Sequence, residues 1–270
     1  VIQAVRLISV PSYSYLDEHN LIRDRNSAFT VYVFNSRVED LLDGSKYGAS
    51  TLRFKFLALC DQLLPWLESD PKLKRFVRRK ELHDGLRTSS PYVPRIIKQG
   101  KRKGSEALGE RNYRRGSWIG FADSKKYKDP RHGIQFQYGF SDKEAWYGIC
   151  IQGDKPTGKA RHDLFERLQT YNLGQIISKM RALGDKYVIE VYRDKERKPL
   201  IPCKPINKIT RNQVKKLRTN LENELLWINI RKDFDSLSIV EYYGMFTSRE
   251  IVRTTRDLLG FYNWLTGTKP

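Results

Sequence analysis

The chain has 270 residues, 39% of them hydrophobic and 12% aromatic, so it can bury a substantial core, and its 30% of charged residues does not make it a disordered polyelectrolyte. Its 50 Lys and Arg against 31 Asp and Glu leave a net charge of +19 and an isoelectric point near 9.8, more than solubility requires and suited to a polyanionic partner. No apolar run approaches the roughly 18 residues of a membrane span, and the first six residues lack the basic start and apolar core of a secretory signal, which predicts a cytoplasmic protein with no membrane partner.

In chain order, residues 5–10 and 29–34 (FTVYVF) predict strands, with a polar loop between them. From residue 52 the period lengthens: Phe56, Leu59, Leu63 and Leu67 share one helical face, and Pro65 predicts that the helix breaks between Leu63 and Asp70. After Pro71 the run KLKRFVRRKELH sets Leu73, Phe76 and Val77 as a narrow apolar stripe among six Lys and Arg. That run predicts a basic helix, either laid along phosphates or simply solvated. Residues 85–117 are dense in Gly, Pro and Ser and predict a long loop, a length uncommon in a compact domain unless functional or disordered.

The charge is concentrated in this region. Residues 1–71 carry a net −2, residues 72–131 a net +13 and residues 132–270 a net +8.

Further on, Ile134, Phe136, Tyr138 and Phe140 alternate with Gln135, Gln137 and Gly139, and Tyr147, Ile149 and Ile151 repeat the alternation after a short turn, which predicts an antiparallel hairpin. Residues 161–183 predict one helix, 187–192 (YVIEVY) a strand and 195–208 a basic, proline-containing connection. Thr210 with Gln213 makes a capping-box pattern that opens a helix carrying Val214, Leu217 and Leu221; Thr247 with Glu250 repeats the pattern for a last helix through Leu265. Residues 226–231 and 238–243 predict strands between them. The fold class is therefore α+β: a largely antiparallel sheet with packed amphipathic helices and a long basic loop. The expected organisation is an N-terminal α/β segment (1–70), a basic helix and loop region (71–132) and an α+β domain (133–270), or one continuous domain. The absence of an initiator Met predicts a fragment, with a catalytic partner domain or subunit outside it.

Cys60, Cys150 and Cys203 show no CxxC, and His19, His83, His132 and His162 no HxxxH, so reduced, buried thiols and no metal are expected. GDKPTGKA at 153–160 approximates a phosphate-binding loop, but Ala160 replaces the hydroxyl that would hold Mg²⁺, and the strand before it belongs to a hairpin. Asp185, Glu196 and Lys198 are spaced like a metal-dependent nuclease site, in which carboxylates hold Mg²⁺ and the Lys supports the attacking water; a solvated charged turn is the competing reading.

The chemistry of the basic stretch is that of nucleic-acid binding, with no cofactor. The candidate contacts are Arg78, Arg79, Lys98, Lys101, Arg102, Lys103, Arg111, Tyr113, Arg114, Arg115, Lys125, Lys126, Lys128 and Arg131. Their cations neutralise phosphates, and Tyr113 among its arginines can add base stacking. DNA is favoured over RNA as partner, although an RNA-binding module needs the same residue types. Trp118, Ile119 and Phe121 also read simply as a core strand.

The order KGSEALGERNYRRGSWIGFAD, then GIQFQYGF, then AWYGICIQGD resembles the N-terminal DNA-specificity domain of modified-cytosine restriction NTPases. The resemblance covers about fifty residues. It implies a DNA reader that extrudes a modified base into an aromatic pocket, here Trp118, Phe121, Tyr138, Trp146 and Tyr147, while the loop cations hold the backbone.

Overall fold

The computed structural model describes residues 56, 59–60, 63–78, 90–93, 116–129, 132–141, 145–152, 158–193, 199–224, 226–234 and 244–268. The elements in order are β1 (Gly116–Ala122), β2 (Gln135–Ser141), β3 (Ala145–Ile151), α1 (Lys159–Thr170), α2 (Leu173–Arg181), β4 (Val188–Arg193), β5 (Pro199–Pro205), α3 (Arg211–Asn223), β6 (Leu226–Phe234) and α4 (Gly244–Thr266). Six strands form one sheet in the order β1-β2-β3-β6-β4-β5, with every neighbouring pair antiparallel. The α+β expectation and the hairpin of β2 and β3 are both met.

Strand alternation and register together build the core. Ile119, Tyr138 and Tyr147 stand opposite one another; Phe121, Phe136, Ile149, Ile230 and Ile189 form the next row; Ile151, Ile228, Val191 and Ile201 form a third. All twelve are buried, and they share one cluster with Phe56, Leu63 and Leu67 before the sheet and with Leu258, Tyr262 and Leu265 of α4. Each large side chain buried there stabilises the fold by roughly 1.5–3 kcal/mol. Tyr262 stacks on Phe136 with ring centroids 4.8 Å apart, and its hydroxyl donates to the Ile134 carbonyl at 2.8 Å and accepts the Asp123 amide at 3.1 Å.

Several elements differ from expectation for local reasons. The basic run 72–83 does not make a helix over its described part: a three-residue 3-10 turn, Lys74–Phe76, ends where Val77 turns extended and Arg78 bridges Ser90. Phe76 drives this, meeting Phe136 and Tyr262 edge-on at 5.3 and 5.1 Å. The helix expected over 161–183 is two helices, because Asn172 caps α2 by accepting the Gln175 amide while Gln175 reaches back to the Asn172 amide. Part of the proline-containing connection is strand β5, an edge strand, where Pro199, Pro202 and Pro205 are tolerated. The Thr210–Gln213 capping box is present, whereas Thr247 lies inside α4 and Glu250 instead pairs with Lys232 of β6 at 3.2 Å. Cys60 and Cys150 are buried, but Cys203 is exposed. The strands expected at 5–10, 29–34 and 238–243 lie outside the described residues, as does most of the loop at 85–117. Among the described residues no helix is long and apolar enough to cross a membrane.

Candidate nucleic-acid interface

Of the candidate phosphate contacts, Arg78, Lys125, Lys126 and Lys128 are described; Arg79, Lys98, Lys101, Arg102, Lys103, Arg111, Tyr113, Arg114, Arg115 and Arg131 lie outside the described residues. The described four come together, although 47 residues of sequence separate Arg78 from Lys125. The 3-10 turn docks on the β1–β2 connection through Ser124, whose amide and hydroxyl both donate to the Arg75 carbonyl at 2.9 and 2.7 Å. Arg78 donates to the Lys128 carbonyl at 3.1 Å, and Lys159 at the start of α1 donates to the Lys126 carbonyl at 3.1 Å. The result is one corner that gathers Lys74, Arg78, Lys125, Lys128 and Lys159, of which the four lysines are exposed.

Two cations of the corner are spent on its own architecture. Lys126 pairs with the buried Asp163 at 3.1 Å and also donates to the Thr266 carbonyl. Tyr127 donates to the same carboxylate at 2.6 Å, and burial, Tyr262 and this bond push its hydroxyl well above the usual phenol range, so it remains a donor. Arg75 sits 3.6 Å from the buried Asp123 and donates to Asn263. Such pairs fasten residues 123–127 to the 3-10 turn and α1, and removing either partner strands the other charge away from water. Lys126 therefore reads as a positioning residue, and Lys125 and Lys128 as the loop cations that face solvent.

The five aromatic positions of the expected base pocket divide between the two faces of the sheet. Phe121, Tyr138 and Tyr147 lie on the helix-covered face, all but fully buried; Phe121 and Tyr147 stack at 6.4 Å, and the Tyr147 hydroxyl bonds Thr255. Burial pushes the Tyr147 hydroxyl well up. These three rings have no face left for a base in this conformation. Trp118 and Trp146 lie on the opposite face, the indole of Trp146 over Gly139, where a Cβ would collide with the ring. Beside them run Gln135 and Gln137. The Trp146 indole donates to Gln137 at 3.3 Å, Tyr92 meets Trp118 at 5.4 Å, and Gln135 is fully buried with neither amide atom partnered among the described residues. Sequence reading passed over both glutamines because alternation marked them only as the polar side of a strand.

For nuclease chemistry, Asp185 is exposed between α2 and β4, while Glu196 and Lys198 lie outside the described residues. Among the described residues no group of three or more His, Cys, Asp or Glu is arranged to hold a metal ion. Gly158 and Ala160 are described at the start of α1, and residues 153–157 of the phosphate-loop-like run are not. No protein-family model matches the chain, and no curated protein matches it.

Proposed function

We propose that this chain is a DNA-binding module that supplies specificity to a restriction or other DNA-processing enzyme whose catalytic part lies elsewhere, acting in the cytoplasm. The observation that carries the reading is the basic corner. Exposed lysines from three segments, Lys74, Lys125 with Lys128, and Lys159, are gathered around a loop fastened by buried ion pairs, and three of the four belong to the stretch with the highest positive charge in the sequence. A fastened cationic loop suits phosphate binding because less backbone entropy remains to be lost on contact. Base reading, in this proposal, belongs to the sheet face that carries Trp146, the one half-buried ring of the five aromatic candidates, since an indole offers stacking.

The test is titration of the protein against duplexes of matched length with and without modified cytosine, and against RNA competitors. Binding that weakens steeply with salt, with DNA preferred, is the expected result. Failure to bind any nucleic acid at low salt, or preference for RNA, overturns the DNA reading.

A further inference from the structure

The sequence directs attention to residues 72–131, but a second cationic surface lies on α2, α3 and the 3-10 turn Ile206–Lys208 between β5 and α3. From Pro199 to Thr219 the chain carries six cations, Lys204, Lys208, Arg211, Lys215, Lys216 and Arg218, and no acid, and α2 adds Lys179 and Arg181. Lys179, Lys208, Arg211, Lys215 and Lys216 are exposed.

This charge is not neutralised within the described residues. The side-chain bonds these cations make go to uncharged oxygens: Arg181 to the Ile209 carbonyl at 2.8 Å, Lys204 to Gln213 at 3.1 Å and Arg218 to Gln169 at 2.9 Å. Nor does the helix itself account for it. Lys208 and Arg211 flank the N-terminus of α3, the positive end of its dipole, its first turn holds no acid, and Glu222 sits near its C-terminus. That distribution is the reverse of the one that stabilises a helix, and no acid of the first turn offsets it.

We infer that the α2–α3 face binds the phosphate backbone of a duplex nucleic acid, as a surface additional to the corner and independent of it. Arg211 and Lys215, four residues apart, lie along one side of α3, and Lys208 ends the 3-10 turn just ahead of it, so the cations are presented together to a row of phosphates. A membrane surface fits less well. An interfacial helix buries an apolar face in the headgroups, whereas the exposed neighbours of these cations include Gln175, Ser178, Asn212 and Thr219, and the exposed large hydrophobic side chain of the described residues is Trp66, outside these helices.

The experiment compares the full chain, the double variant Arg211→Gln/Lys215→Gln and the charge-matched control Lys186→Gln/Arg253→Gln, whose cations pair with Asp257 and Glu250. Each is titrated with a duplex over a range of salt, and its fold is checked by circular dichroism. The expected result is that the α3 variant keeps its fold, binds about tenfold more weakly at low salt and has a salt slope lower by about 1.8, at about 0.9 for each phosphate no longer neutralised, while the control keeps its slope. Equal reductions in variant and control, or unchanged binding by the variant, overturn the inference. So does loss of binding to phosphatidylserine vesicles with duplex binding intact, which would make the face a lipid surface. A Lys125→Gln/Lys128→Gln variant separates this inference from the reading of the corner: loss there alone leaves the proposed function standing and removes the second surface.

Discussion

The basic corner and the α2–α3 face hold their charge in opposite ways. At the corner, Asp123 and Asp163 are buried against Arg75 and Lys126, so part of the positive charge is consumed in fastening the β1–β2 connection to α1 and α4. On α2 and α3 the described cations touch only neutral oxygens or water-exposed space. The difference teaches that net charge read from a sequence overstates the binding capacity of one region and understates that of the other. What counts is the charge left over after internal pairing. It also divides the consequences of mutation: paired cations report in stability, and unpaired ones in binding.

The largest effect should come from breaking the corner. Asp163→Ala leaves Lys126 without its partner and Tyr127 without its acceptor, and is expected to cost about 3 kcal/mol in urea unfolding. An unchanged midpoint would mean that the corner is not fastened by this pair. Next comes Tyr262→Phe, which removes the hydroxyl between Ile134 and Asp123 while keeping the ring on Phe136; about 1–2 kcal/mol should be lost by the same measurement.

A smaller effect is expected from pH. Burial by itself would raise the Asp70 carboxyl, but the Lys72 amide and the Arg256 guanidinium outweigh it and hold it below the ordinary carboxylate range. A carboxyl depressed in the folded state contributes stability above its unfolded pKa of 3.8 and loses it as pH falls through the lower folded value. Asp70→Asn should therefore flatten the loss of stability below about pH 4, as followed by thermal melts across an acid series. The smallest effect on stability, within about 0.5 kcal/mol, belongs to Gln135→Leu, since an apolar side chain of similar size removes two unpartnered buried polar atoms.

Much of the framework was legible because its signals are local. The alternation at 134–151 gave the hairpin, and Thr210 with Gln213 gave the start of α3. Asn172 with Gln175 carries the same capping signal and marks the division between α1 and α2, yet the apolar face running on from Leu168 to Ile176 masked it. Thr247 with Glu250 matched the pattern, but α4 begins earlier, at Gly244, and Glu250 pairs with Lys232 on a neighbouring strand. Alternation also cannot say which face of a sheet the helices cover. The resemblance, not the alternation, grouped Phe121, Tyr138 and Tyr147 with Trp118 and Trp146; period two already separates adjacent Trp146 and Tyr147, and the register sets the two groups on opposite sides. The pairing of distant Arg75 with Asp123 and Lys126 with Asp163 leaves no local trace at all, and this is why the corner's lysines seemed equivalent in the sequence.

The most direct test of the central claim is the salt dependence of duplex binding by the intact chain. A linear fall of log K with log salt, shallower by about 1.8 after Lys125→Gln/Lys128→Gln while the unfolding midpoint holds, is the predicted result. No measurable binding at about 50 mM salt, or an affinity indifferent to salt, would contradict it.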